Sequence, residues 1–203
     1  LLQVIEIDIL APMLDPIYLE NDQVIVHAIR PQELERYETI VKDIYQIFSD
    51  QGTLEFLPDK RLRSVSDAEN WLKSTILNFH CGNNFLHFIS DKSSGKILGM
   101  VDIFAPSTIS AYYKINQPPY FIEFYLRSSA KGKKIMTKLL PQLMTELKSR
   151  GIATVGAVIN NHNHAAKRVL LNAGFCYRSK FDIIQGFYQY DQYAELTGLR
   201  NVG

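Results

Sequence analysis

Glu123-Phe-Tyr-Leu-Arg-Ser-Ser-Ala-Lys-Gly-Lys-Lys-Ile-Met-Thr-Lys138 reads as the end of a strand, a short loop of small residues, and a helix that opens directly from the loop. The strand, over 120–126, follows Pro118 and Pro119 and is almost wholly apolar or aromatic. Beyond the loop, Ile135, Leu139, Leu140, Leu143, Met144 and Leu147 recur at helical spacing, and Gly151 supplies the stop. The first amides of such a helix have no intrahelical partners, and its dipole adds partial positive charge there. An anion fits that place, above all a phosphate. Lys131, Lys133, Lys134 and Lys138 crowd the same turn, in a chain whose formal net charge is only +1. Cations at a helix N-terminus oppose the dipole, so the cluster is mildly unfavourable unless an anion sits among them. The competing reading is a solvated helix start that happens to carry lysines.

The pattern continues on both sides. Downstream come a strand over 154–159, a polar turn, a short helix over 164–172, and two strands over 175–180 and 184–193. Upstream, strands over 85–90 and 97–104 flank the polar turn 91–96, a hairpin signature. A helix from Pro31 carries Leu34, Tyr37, Ile40, Val41, Ile44 and Ile47 on one face. A second begins after Ser66, where Glu69 stands at capping-box spacing, and stops at Gly82. The first strand of the main body spans 24–30. Before it, residues 1–20 form an N-terminal arm with a short strand over 3–10, broken off by Pro12 and Pro16. Residues 21–203 then form one domain. The order of elements predicts a mixed sheet with helices on both faces. The strand over 3–10 is expected to pack on the sheet or on a partner chain, which allows a homodimer.

Composition narrows the function classes. With 203 residues, 46% hydrophobic and 21% charged, the chain is an ordinary globular one that needs no disulfide or metal to build a core. The near-neutral charge gives no global field for nucleic acid or an anionic membrane. Residues 1–20 hold no Lys or Arg, so the basic region of a secretion signal is absent, and no apolar run approaches a bilayer span. These features predict a soluble cytoplasmic protein. Cys81 and Cys176 are expected to be reduced thiols acting as small apolar residues. His162 and His164 flank Asn163 without a nearby carboxylate or thiolate, so no metal site is expected. His27 and His87, inside apolar strands, read as packing residues. Neither a Gly-x-x-x-x-Gly-Lys-Ser/Thr loop nor a Gly-x-Gly-x-x-Gly turn occurs, which disfavours an unrelated nucleotide-binding enzyme.

Two segments resemble motifs of the GNAT N-acetyltransferases. Lys131-Gly132-Lys133-Lys134-Ile135-Met136 is similar to the family's pyrophosphate loop, Arg/Gln-x-x-Gly-x-Gly/Ala, and Met136-Thr137 is similar to the subgroup that acetylates ribosomal-protein N-termini. Asn163-His-Ala-Ala-Lys-Arg-Val-Leu-Leu-Asn-Ala-Gly-Phe175 resembles a second motif, with Asn163, Ala166, Arg168, Leu170 and Gly174-Phe175 in place. A strand ending in Arg30, two helices, and Phe56-Leu57-Pro58 also match, so the resemblance covers residues 22–193. It implies an α/β (α+β) fold: a mixed, mostly antiparallel twisted sheet, helices on both faces, and a splay between two central parallel strands. It also implies acetyl-CoA as cosubstrate, lying between the strands over 120–126 and 154–159, with no metal.

Several roles follow from that resemblance. Backbone groups of Phe124, Tyr125 and Leu126 would pair with pantetheine. The loop Lys131, Gly132, Lys133, Lys134, Ile135 and Met136 would hold the pyrophosphate. Glu123 would be the general base that relieves the attacking amine of its proton, or else a structural hydrogen-bonding group. Asn163 would orient pantetheine or cap its helix, and Arg168 would reach the adenosine phosphate or be solvated. Lys134 stands where the family has glycine; helical geometry there leaves the amide able to donate, and another geometry weakens binding. Leu170 replaces the tyrosine that often serves as general acid, with Tyr177 and Tyr188 near it in sequence. Glu55, Asp59 and Asp102 are candidate carboxylates for recognising the amine. The acceptor is a small-molecule or peptide amine. Lys134 and Leu170 leave one alternative, a GNAT-fold protein that binds a ligand or partner without catalysis.

Overall fold

Alternating apolar side chains give the central strands two covered faces. The computed structural model describes residues 14–113 and 117–192. In it, β3 (Asn84–Asp91) and β4 (Ile97–Phe104) form the expected antiparallel hairpin, and β4 pairs antiparallel with β5 (Tyr120–Leu126). One set of alternate residues, including Phe85, Ile89, Val101, Ile103 and Ile122, builds a core with the buried stripe of α4 (Ile135–Ser149). The other set, including Leu86, Phe88, Met100 and Tyr125, builds a second core with α1 (Tyr37–Ser49) and α2 (Val65–His80). Helices therefore cover both faces. Pro141 lies inside α4 but on its exposed side, where the missing amide bond faces water.

Five more strands extend the sheet: β1 (Tyr18–Glu20), β2 (Val24–His27), β6 (Thr154–Asn160), β7 (Cys176–Lys180) and β8 (Gln185–Asp191). The strand order is β1-β2-β3-β4-β5-β6-β8-β7, and every neighbouring pair is antiparallel except β5 and β6. Leu14 and Ile17 are buried in the first core and β1 pairs with β2, so the described part of the arm is joined to the sheet. The strand expected over 3–10 lies outside the described residues, as does the end of the last predicted strand.

The parallel pair is the unusual joint. β5 and β6 are in register only at Tyr120 with Val155 and Phe121 with Gly156. Beyond that rung β5 stays with β4 as far as Leu126, and β6 stays with β8 as far as Asn160. The expected splay is therefore present. Gly156 permits the last rung: a Cβ there would lie 2.5 Å from the ring of Phe121 and 2.9 Å from that of Phe187. Those two rings stack with centroids 5.6 Å apart.

Four local expectations are corrected. The helix expected from Pro31 is a 3-10 segment, Pro31–Arg36, followed by α1, and it leaves Leu34 exposed. The second helix is capped by Ser64 and not by Ser66: Ser64 Oγ accepts the Asp67 amide at 3.0 Å, and the Asp67 carboxylate accepts the Ser64 amide at 3.0 Å. A further helix, α3 (Pro106–Tyr113), was not expected; it has one buried apolar residue, Ile109, and hence no periodic stripe to read. Cys81 and Cys176 are exposed and are not core residues.

Candidate active site

β5 turns Glu123 toward the side covered by α1 and α2, two residues before the core ring of Tyr125. Lys60 ends a 3-10 turn, Pro58–Lys60, and its Nζ lies 2.9 Å from Glu123 Oε2. The Tyr125 hydroxyl donates to the same oxygen. Burial, then the carboxylates of Glu123 and Asp102, push the Tyr125 phenol well above its ordinary value, so it remains a proton donor. The Lys60 ammonium also stands 5.4 Å from the centre of the Tyr125 ring and 5.9 Å from that of Phe104, within cation–π reach.

Asp102 faces Glu123 across the β4–β5 ladder. It is buried, and the Asn84 side-chain amide donates to both its oxygens at 2.8 Å. Burial drives its carboxyl up to about 7; the Asn84 bonds oppose that shift and the Glu123 charge adds to it. Asp102 is therefore a buried polar anchor beside Glu123. Glu55 and Asp59, the other two carboxylates expected to recognise an amine, are exposed and do not border the cleft.

A cleft of about 100 Å³ fills the splay. Glu123, Phe124 and Tyr125 border it from β5, residues 157–160 from β6, and Asn163, Ala166 and Leu170 from α5 (His164–Asn172). Asn163 caps α5, its Oδ1 accepting the Ala166 amide at 3.1 Å, which leaves its NH₂ group for the cleft. Leu170 is fully buried and presents only carbon to the cleft. Tyr113, which sequence reading did not single out, closes one side. A larger hollow of about 620 Å³ lies at the other end of the parallel pair, beside Tyr120, Arg150 and Thr154, away from these groups.

The loop after β5 is braced from below. Arg127 forms a largely buried ion pair with Asp43 at 2.7 Å. Asp50 accepts the Thr53 amide at 2.8 Å, the Thr53 hydroxyl at 2.9 Å, and the Ser128 hydroxyl. Thr53 Oγ1 also reaches the Leu126 carbonyl at 3.1 Å, so that carbonyl is already engaged. Lys131 Nζ donates to the Gly52 carbonyl at 2.5 Å. Above these contacts the backbone turns sharply. Gly132 has φ 75°, and Lys134, the N-cap of α4, has φ 59° and ψ 17°. Lys134 is thus left-handed and not helical, so it departs from the geometry in which a side chain is harmless. It holds the shape that glycine adopts freely, and for lysine that costs about 1–2 kcal/mol. Its side chain is exposed, as are those of Lys131, Lys133 and Lys138. Ile135 and Met136 put their side chains in the core, so only their backbone can face a ligand. The amides of residues 132–137 find no backbone acceptor among the described residues.

The fold thus gathers Glu123, Phe124, Tyr125 and Asn163 on one cleft and places residues 131–136 after β5, as a loop over 131–134 and the first residues of α4. Arg168 is exposed and apart from the cleft lining. Among the described residues, no group of three or more His, Cys, Asp or Glu side chains is placed to hold a metal ion. His87 is a packing residue: its Nε2 accepts the Ile17 amide at 2.9 Å and its Nδ1 meets the Phe85 carbonyl at 2.9 Å. Tyr177 packs edge-on against Tyr188 and is half exposed.

The family model for the acetyltransferase (GNAT) domain matches residues 29–176. The chain belongs to the GNAT acetyltransferase domain family. Solved structures of similar fold agree in extent. The ribosomal-protein-S5-alanine acetyltransferase from Vibrio fischeri is 17% identical, with a TM-score of 0.66, over 87% of this GNAT chain and 97% of that one. The microcin C7 self-immunity acetyltransferase, in complex with acetyl-CoA and AMP, is 17% identical with a TM-score of 0.62, over 84% and 93% of the two chains. AAC(6')-Ib, in complex with paromomycin and acetyl-CoA, is 14% identical with a TM-score of 0.66, over 90% and 100%. No curated protein matches this GNAT chain at a significant level.

Proposed function

We propose that this GNAT protein is an acetyl-CoA-dependent N-acetyltransferase that moves an acetyl group to a primary amine by direct attack on the thioester. The observation that carries the reading is the two-rung parallel pair. After Phe121, the side of β5 that faces β6 has no strand partner among the described residues. An extended chain bearing its own amides, such as pantetheine, can pair there. The loop fits the other end of the same molecule: the unpartnered amides of residues 132–137, a helix N-terminus and four lysines suit a pyrophosphate. Phe124, Tyr125 and Asn163 would hold the arm, and residues 131–136 the phosphates. Arg168 would meet the adenosine end, outside the cleft.

In the reaction, the amine nitrogen attacks the acetyl carbonyl carbon. A C–N bond forms, the C–S bond breaks, and coenzyme A leaves as a thiolate. The amine proton passes to Glu123, directly or through one water. Leu170 cannot protonate the thiolate, so another group at the cleft or water supplies that proton, or the thiolate leaves without an acid. Calorimetry with acetyl-CoA, set against coenzyme A and ATP, tests the proposal. Micromolar binding of acetyl-CoA is expected; no binding at millimolar ligand would overturn it.

A second reading, a non-catalytic ligand-binding or interaction protein, is favoured by the left-handed Lys134 and by Leu170 at the cleft. Slow acetyl-CoA hydrolysis without stimulation by any amine would support it. A cytoplasmic setting is part of the proposal; no described helix is long and apolar enough to cross a membrane.

A further inference from the structure

The cleft is bordered by the rings of Phe56, Tyr113, Phe124 and Tyr125 and by one carboxylate, Glu123. Tyr113 borders the cleft with Glu123. Its ring lies 6.2 Å from that of Phe121, 28° from parallel, and meets Phe181 edge-on at 5.1 Å. Phe121 continues the tier to Phe187. The tier is open to solvent at its outer end, where Tyr113 is 38% exposed and Ile183, across the β7–β8 turn, is 87% exposed.

Charge points the same way. Glu123 is the one carboxylate that borders the cleft among the described residues, and Lys60 already holds its Oε2. Asp102 is buried against Asn84, and Glu55 and Asp59 lie outside. The cation slot above Tyr125 and Phe104 is filled by the chain's own Lys60. A polyamine or amino-sugar would bring several charges to a surface with one shared carboxylate and a resident cation. The cleft is small, about 100 Å³, and Tyr113, which borders it, carries the ring tier outward to Phe181.

From this we infer that the acceptor is a primary amine carried on an aromatic body with no second cation, the ring lying against Tyr113 and Phe181. The inference rests on the N-acetyltransferase reading and names the substrate class of that site. The shared chemistry is an amino group one or two carbons from a ring, as in a free arylalkylamine or at the start of a peptide whose first residue is aromatic. Flat ring faces prefer offset or edge-on contacts with other rings, and Tyr113, packed on Phe121 and Phe181, still keeps part of its surface exposed.

The test is thiol release from acetyl-CoA by the full chain with phenethylamine, n-butylamine, spermidine, an aminoglycoside, and short peptides beginning with Phe or Ser. The expected result is a kcat/KM for phenethylamine or the Phe peptide at least tenfold above that for n-butylamine, spermidine and the aminoglycoside. Which of the two leads distinguishes a small-molecule from a peptide source. Tyr113→Ala and Phe181→Ala should each raise KM for the aromatic amine about tenfold and leave the acetyl-CoA Kd unchanged. Equal or better use of the polycations, an unchanged KM in both variants, or bound acetyl-CoA with no amine acetylated would overturn this inference. Absence of acetyl-CoA binding in the parallel calorimetry would instead overturn the reading beneath it.

Discussion

His87 and Asp102 stand one register step apart on neighbouring strands, on opposite faces of the sheet, and burial moves their protons in opposite senses. His87 falls from 6.5 to about 4 because its charged form is desolvated. Asp102 rises from 3.8 to about 7 for the same reason. Between pH 4 and 6.5 the unfolded chain binds a proton at residue 87 that the folded chain refuses, so this group makes stability rise with pH. Over pH 3.8 to 7 the folded chain keeps a proton at residue 102 that the unfolded chain has lost, so stability falls with pH. The two slopes cancel over most of the acid range. Asp102→Asn should therefore expose a rise of about 3 kcal/mol between pH 4 and 6.5, and His87→Gln a fall of similar size from pH 4 to 7. Urea unfolding at pH 4.5, 5.5, 6.5 and 7.5 reads the slopes, and parallel profiles for all three proteins would refute the assignment.

Lys134→Gly should stabilise the fold. The substitution relieves a left-handed lysine and gives back part of the gain as backbone entropy, leaving about 1 kcal/mol. For a chain of this size that is roughly 2–4 °C in Tm. Calorimetric melting checks it, and a lower Tm would mean the lysine side chain makes a contact that offsets its strain.

Glu123→Gln should lower kcat about 100-fold or more and leave the Kd for acetyl-CoA nearly unchanged, as expected for loss of a general base. The amide keeps the size and can still accept from Lys60 and Tyr125, so the fold should survive. A kcat within threefold of the parent would remove Glu123 from the chemistry.

Lys131→Ala with Lys133→Ala should weaken acetyl-CoA binding about tenfold in low salt and less in high salt, because exposed charges act through a screened field. Titration at two ionic strengths measures this. Lys131 must first leave the Gly52 carbonyl to reach a phosphate, so Lys133 is expected to contribute the larger share.

Much of the fold could be read from the sequence because its strands are covered on both faces and its long helix has an unbroken apolar stripe. The second helix start could not be settled locally. Ser64 with Asp67 and Ser66 with Glu69 are equal capping signals, and the chain uses the earlier one, where Asp67 also takes the Arg63 amide at 2.9 Å. Helix α3 carries Ser107, Thr108 and Ser110 and buries little, so no periodicity announced it or the ring of Tyr113 at its end. In the site, Glu123 and the lysine loop were legible because one strand and one helix start place them. The partners that decide how Glu123 behaves were not: Lys60 comes from 63 residues away, and nothing local to Pro58-Asp59-Lys60 foretells that contact.

The parting of β5 from β6 leaves an edge in the middle of a sheet. Over its last five residues β5 is hydrogen-bonded on one side only, although four strands lie to one side of it and three to the other. Amide exchange along β5 should therefore alternate, slow where the N–H points to β4 and fast where it points into the gap. Exposed edges invite pairing with foreign strands, but this one borders a narrow cleft shared with β6 and α5. In the proposed function, the thin, extended, amide-bearing pantetheine arm would complete the ladder.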